Sequence, residues 1–192
     1  MKKRLGTAWP PLAVFAGFIG VWYFYSGVIL DEVERNISLP YFHNVVDIAF
    51  LDGENRSELL SATWTSAWIA GIGLAIAVAL GLFFAVLMSQ AKWIERSFYP
   101  YAVLLQTIPI LALVPVIGLR FGFGIGARVI VVVIISLFPI ITNTLFGLKT
   151  AEQGHHDLFT LHKASRVTRL FKLQFPSALP AMFTGFQISA GL

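Results

Sequence analysis

Residues able to do specific chemistry gather in two places along this chain. The first is 157–180, DLFTLHKASRVTRLFKLQFPSALP, where Lys163, Arg166, Arg169 and Lys172 stand against Asp157 alone. Cations at that density beside Leu158, Phe159 and Leu161 describe a docking surface: apolar side chains enter a groove while the basic groups meet acidic residues or lipid phosphates on its rim. A basic helix lying on anionic lipid with no protein partner is the alternative. The second place is a set of polar residues inside apolar runs, Gln106 and Thr107 before Pro109, and Thr142, Asn143 and Thr144. In hydrocarbon an amide needs a partner, worth about 0.6 to 2 kcal/mol when found. Gln106, Thr107, Pro109 and Asn143 are therefore candidates to line a pathway, with plain interhelical hydrogen bonding as the competing role.

Other chemistry has little material. His155-His156-Asp157 resembles a metal cluster, but adjacent helical residues diverge by about 100° and no Cys or Glu completes a tetrahedral set, so solvated loop histidines are expected and no metal site. Gly122-Phe123-Gly124-Ile125-Gly126 has no βαβ unit around it and reads as a short turn rather than a phosphate cradle. There is no G-x-x-x-x-G-K-[ST] loop, no Ser/His/Asp or paired-carboxylate constellation in the spans, and no cysteine. The chain is expected not to be an enzyme and to bind no cofactor itself.

The elements that must hold these residues are membrane spans. Hydrophobic residues make up 57% of the chain and charged ones 12%, far from the roughly 25% charge of soluble domains, and mean hydropathy is +0.76. Since about 20 helical residues cross a bilayer, spans are predicted at about 7–30, 62–88, 98–119 and 129–148. A fifth begins at Ala181, and its twelve residues to Leu192 are too few to cross, which gives the expectation of a fragment or truncated product. The run after Lys2, Lys3 and Arg4 is too long for a signal peptide and lacks an Ala-x-Ala pattern, so an uncleaved anchor is expected. Prolines 100, 109, 115 and 139 bend or break helices unless neighbours satisfy the freed carbonyls, which places them in a polytopic bundle. Small residues from Gly71 through Ala85 allow close helix packing; their i, i+4 spacing alone does not establish a dimer face.

With a cytoplasmic N-terminus, Lys2, Lys3, Arg4, Lys92, Arg96, Lys149, Lys163, Arg166, Arg169 and Lys172 lie inside, which is ten of the 14 basic residues. The cytoplasmic segment is then 149–180, and Asp31 to Glu58 becomes an acidic external loop. Within that loop Pro40, Phe42, Val45, Val46, Ile48, Ala49, Phe50 and Leu51 suggest either a short interfacial helix or a packed connector. The formal charge of +4 comes from clusters beside spans, which argues for lipid and against nucleic acid.

The stretch Ser97 to Leu148, with Gln106-Thr107-Ile108-Pro109-Ile110, Pro115, Phe121-Gly122-Phe123-Gly124 and Phe138-Pro139-Ile140-Ile141-Thr142-Asn143-Thr144, closely resembles permease subunits of bacterial ABC importers of the nitrate, sulfonate and taurine type. Members of that family carry a coupling segment here, E-A-A, three residues, Gly, then a stretch ending in L-P. In this chain Asp157 stands at the Glu, Leu158 and Phe159 replace the alanines, and Lys163 replaces the Gly; Ala164-Ser165-Arg166, Phe175-Pro176 and Leu179-Pro180 fit. A Gly at that position makes a bend that Lys makes only at a cost.

What the resemblance implies is an all-α polytopic membrane bundle of the MetI-like permease fold, here lacking most of its C-terminal spans, in a bacterial inner membrane. It implies alternating access by two permease copies, a homodimer by expectation, driven by a separate ATPase dimer and served by an external substrate-binding protein. ATP and magnesium would bind to the ATPase. Asp157, Leu158, Leu161, Lys163, Ala164, Arg166, Arg169 and Pro176 would couple to it, through short helices at 157–163 and 165–174. The implied substrates are small organic anions or heterocycles, among them nitrate, sulfonates, taurine and thiamine precursors, and the Gln106-Thr107-x-Pro109 run leans towards heterocycles. A truncated, nontransporting subunit is the alternative, and a secondary transporter a weaker one, because the charges fall almost wholly outside the spans.

Overall fold

A computed structural model describes residues 9–192, and these residues are helical with no strand among them. The basic cluster Lys2, Lys3, Arg4 and the start of the expected 7–30 span lie outside the described residues. The helices are α1 (Trp9–Phe24), α2 (Glu32–Ser38), α3 (Phe42–Val46), α4 (Gly53–Gln90), α5 (Lys92–Thr107), α6 (Ile110–Phe121), α7 (Ile125–Lys149), α8 (Gln153–Leu161), α9 (Arg166–Arg169) and α10 (Phe175–Ala190). Wider π turns extend α1 to Ile29, α3 to Leu51 and α9 to Gln174. Their contacts divide the chain into two units, up to Thr65 and from Ser66 onwards.

In the first unit the apolar α1 reaches Ile29 with hardly a residue covered by protein. Its last turns are tied to the segment that follows. The Trp22 indole donates to the Pro40 carbonyl at 2.9 Å, and the buried Ser26 hydroxyl donates to the Leu39 carbonyl at 2.8 Å. Arg35 donates through Nε to the Ser26 carbonyl at 2.8 Å and lays its guanidinium 4.9 Å from the Tyr41 ring centroid. Asp31 caps α2, accepting from the Glu34 amide, with Glu32 and Glu34 in the first turn where the dipole favours anions. The external loop expected from Asp31 to Glu58 is therefore mostly helical, and Glu54 and Glu58 belong to α4. Asp52 explains that early start, because its carboxylate accepts from the Glu54 amide and the Asn55 side chain.

In the second unit α7 is the central helix. Gly73 of α4 faces Val132 and Gly81 faces Ile140, so α4 and α7 run parallel; at both glycines an added Cβ would fall about 2.5 Å from the α7 side chain. The residues of α4 buried here, Gly73, Ala77, Gly81 and Ala85, recur every fourth position, while Gly71 has open space. The tight packing expected of this small-residue run is thus an intramolecular contact. α10 runs antiparallel to α7: Gly147 lies against Ala178, Gly185 against Pro139 and Asn143, and the buried Ser189 hydroxyl donates to the Ser136 carbonyl at 2.9 Å. α5 also opposes α7, with Glu95 paired to Lys149 at one end and Ala102 packed among Ala85, Met88, Ile141 and Leu145. Leu148, Leu170, Ala178 and Met182 close the core at the same end.

Besides the longer α4 and α7, which replace the expected 62–88 and 129–148, two further expectations change. The run 98–119 is not one helix: α5 stops at Thr107, Ile108 and Pro109 are extended, and the axes of 92–107 and 112–121 differ by 104°. Pro109 supplies no amide to continue the ladder and biases Ile108 out of the helical region. At 12 residues, about 18 Å, α6 is too short to cross hydrocarbon by itself. The fifth helix starts at Phe175 instead of Ala181, because Gln174 and Phe175 keep helical dihedrals and carry the backbone on from the π turn, with Pro176 and Pro180 inside the run.

These contacts predict the response to bulk. Gly147→Leu and Gly185→Leu each drive a side chain into backbone atoms less than 3.0 Å from the site of the new Cβ and should cost about 1–3 kcal/mol or more. The unfolding midpoint in mild detergent falls for both and stays at the parent value for Gly71→Leu.

Candidate functional site

The docking stretch singled out at 157–180 is a helical hairpin. α8 begins at Gln153, earlier than the expected 157, and so takes His155 and His156 onto a helix where loop residues were expected. It ends in a recognisable stop: the Lys163 amide bonds the Thr160 carbonyl at 2.9 Å and the Ala164 amide the Phe159 carbonyl at 2.9 Å, a Schellman closure. That closure needs a left-handed residue, and Lys163 supplies it at φ 50°, the one non-glycine with positive φ among the described residues. An L side chain there costs about 1 kcal/mol relative to glycine.

The chain then reverses. Ser165 caps α9, its hydroxyl accepting from the Thr168 amide at 3.2 Å. Arg169 donates to the Thr160 hydroxyl at 3.0 Å and so ties α9 back to α8. Leu158, Phe159, His162, Ala164, Thr168 and Lys172 line a cleft of about 380 Å³ between them. From Arg166 the helix continues through the π turn into α10 with helical dihedrals at each junction, so the expected stop at 174 is absent. Pro176 is exposed in the first turn of α10.

The hairpin places the proposed docking residues unequally. Leu158 is 51% and Leu161 79% exposed, and Asp157, Lys163 and Arg166 are open to solvent, with Asp157 accepting from the Gln153 amide group at 3.1 Å. Phe159 and Ala164 are half-buried in the joint, and Arg169 is half-buried and engaged with Thr160. Two apolar residues that sequence reasoning passed over, Val167 and Phe171, are 65% and 63% exposed on the second arm. Their i, i+4 spacing was the signal that could have found them.

The second set of candidates is split. Gln106 and Pro109 border a gap of about 440 Å³ where α5 breaks, walled by Ile135, Phe138 and Pro139 of α7 and by Ile188 of α10. Gln106 is exposed there; Thr107, beside it, spends its hydroxyl on the Leu104 carbonyl at 2.9 Å. Asn143 is not brought to this gap. Its amide donates to the Pro139 carbonyl of its own helix at 2.8 Å, and its Cβ side packs at Gly185. Thr142 donates to the Phe138 carbonyl at 2.9 Å, and Thr144, fully buried, has an unpartnered hydroxyl. The gap's lining carries one amide and no charged side chain.

Comparison with known proteins places this architecture. Residues 77–192 match the model of the binding-protein-dependent transport system inner membrane component family. The formylaminopyrimidine transport permease protein ThiX of Halalkalibacterium halodurans is 38% identical over 192 residues, covering 99% of this chain and 74% of the relative. The bicarbonate transport system permease protein CmpB of Synechocystis is 28% identical over 195 residues, 100% of this chain and 70% of the relative. The putative aliphatic sulfonates transport permease protein SsuC of Escherichia coli is 30% identical over 176 residues, 92% of this chain and 65% of the relative. A bundle of apolar helices centred on α7, matched by a family model over most of the second unit and by relatives along nearly the whole chain, leads to one assignment: the chain belongs to the binding-protein-dependent transport system inner membrane components, the membrane permeases of ABC importers.

Proposed function

We propose that this chain forms the substrate pathway of an ATP-driven importer as a pair of copies, docks through α8 and α9 onto a separate ATPase dimer, and receives substrate from an external binding protein. The observation that carries the reading is the hairpin: exposed Leu158 and Leu161 on one arm, Val167 and Phe171 on the other, Arg166 beside them, and the second arm running unbroken into α10. Exposed leucines and a phenylalanine on a short helical projection suit insertion into an apolar groove, with cations for its acidic rim. ATP and magnesium belong to the partner, and the N-terminus faces the cytoplasm with the basic hairpin.

The substrate reading is a neutral or weakly charged nitrogen heterocycle of the aminopyrimidine type. It is supported by the 38% identity to ThiX against 28% and 30% for the bicarbonate and sulfonate permeases. It also suits a gap walled by Ile135, Phe138 and Pro139 with the Gln106 amide as its polar handle. Apolar walls with one donor and acceptor pair fit a flat heterocycle, whereas an inorganic anion asks for cationic or multiple amide donors.

The docking reading is tested by co-purification in mild detergent. Leu158→Asp, Leu161→Asp and Val167→Asp should each lower ATPase recovery about tenfold or more, at least about 1.4 kcal/mol, while the unfolding midpoint of the permease stays put. Full recovery of the ATPase with all three variants would sink it. Lys163→Gly keeps the ATPase and raises the midpoint, because the left-handed turn no longer carries a Cβ, a gain of up to about 1 kcal/mol. For the substrate, uptake of a labelled aminopyrimidine by cells carrying the complete system should fall severalfold in Gln106→Leu at unchanged ATPase recovery. Competition by taurine, nitrate or bicarbonate, and none by the aminopyrimidine, would overturn the heterocycle reading.

A further inference from the structure

We propose that the segment from Pro40 to Leu51 is seated in the bilayer at the membrane surface reached by the C-terminal end of α1, and that the groove it forms with the start of α4 is filled by lipid acyl chain. This rests on the membrane location of the chain and not on its transport role.

Depth is set by α1. That helix and its π turn make a 21-residue apolar run, long and apolar enough to cross a bilayer, and that fixes its level. The segment is fastened to α1 well before its end: Trp22 holds the Pro40 carbonyl, and the Tyr23 hydroxyl holds His43 through Nδ1 at 2.8 Å. Between Trp22 and Ile29 the helix rises roughly 10 Å. Pro40 and His43 are therefore fixed roughly 10 Å short of the end of an apolar span, which is the depth of about 5–10 Å at which amphipathic helices lie in an interface. Trp22, Tyr23 and Tyr41 cluster at that level, with the Tyr23, Tyr41 and His43 rings stacked 5.5–5.9 Å apart. Tryptophan and tyrosine favour this depth because one end of each ring is apolar and the other is wet.

The surface carried there is apolar without a protein cover. Ile48, Phe50 and Leu51 are each more than half exposed. Val45, Ile48 and Ala49 face Leu59 and Ala62 of α4 across an open groove of about 500 Å³, with Pro40 at one end and Asn55 and Glu58 among its polar lining. Asp47 in the segment, and Asp52 and Glu54 just beyond it at the start of α4, are exposed carboxylates that require water. The groove is joined to α1 through Pro40, which lines it and is held by Trp22, and the Trp22 and Phe42 rings meet edge to face at 5.8 Å. An acyl chain extends that apolar phase without a break.

The test uses the whole transporter in nanodiscs of phosphatidylethanolamine and phosphatidylglycerol doped with a phospholipid carrying a photoactivated diazirine on its acyl chain. Peptide mapping after illumination should show adducts on 45–51 and 59–62 as well as on α1. Adducts on α1 with none on 45–51 overturn the proposal. Because the chain has no cysteine, single nitroxides at Phe50→Cys and Glu54→Cys give an independent reading. Oxygen accessibility relative to a water-soluble nickel chelate should be severalfold higher at position 50 than at 54. Equal ratios mean that the segment stands in water, and a label at 50 shielded from both agents means that protein covers it, whether a second copy or the binding protein; either result overturns the proposal.

Discussion

Backbone-to-backbone approach around α7 is the constraint on which the second unit depends. In lipid the tails are as apolar as leucine, so helices gain little by hiding hydrophobic surface from one another and must gain it by contact. Gly147 and Gly185 bring α10 so close to α7 that their missing Cβ atoms would stand less than 3.0 Å from backbone atoms across the interface. On α4, Gly73 and Gly81 admit Val132 and Ile140 in the same way. Each glycine lets a row of neighbouring side chains reach van der Waals distance, which is why Ile140, Leu148, Ala77, Ala85 and Ala178 are wholly buried in a chain of this size.

Close approach also decides how the polar groups of α7 are satisfied. Pro139 withholds the amide that the Ile135 carbonyl would have met, and the polar side chains near it are spent on neighbouring carbonyls: Thr142 and Asn143 turn back onto Phe138 and Pro139, and Ser189 reaches across from α10 to Ser136. Such side-chain bonds compete with the backbone ladder and bend helices when unsupported. Here Gly185 lies against Pro139 and Asn143 and holds the turn. The exception is the Thr144 hydroxyl, buried without a partner, for which the surrounding packing offers no physical account.

Much of this was legible in the chain, and the misses have identifiable causes. Apolar runs long enough to cross a bilayer announce themselves by length, and four-residue spacing of small residues announces a packing face, though not which helix it meets. Proline was a poorer guide. Val114-Pro115-Val116 stays helical and Ile108-Pro109-Ile110 does not, yet nothing in the flanking residue types separates them; the difference lies in the tertiary surroundings, which pattern does not encode. The hairpin was legible in its exposed leucines and in its turn at Lys163, and misjudged at its outer limits: α8 starts at Gln153 instead of 157, and the second arm runs past 174 into α10. Asn143 was read as a pathway candidate by type; its Nδ2 donates to the Pro139 carbonyl one turn away on its own helix.

The joint at Lys163 and the continuity beyond it give the two arms of the hairpin different mechanical standing. From Arg166 to Ala190 the backbone stays helical, and Ala178, about one turn past the π turn, is already pressed against Gly147. The second arm and α10 are therefore one continuous run of helical backbone that meets α7 at Ala178. The first arm has no such connection. α8 is joined to α9 through one strained residue, the Arg169 to Thr160 hydrogen bond and the packing of Phe159 beside Ala164 and Thr168. A load applied at Leu158 or Leu161 has two routes to α10: this small contact, and residues 150–152, which join α8 to the end of α7 and so to the helix against which α10 is packed.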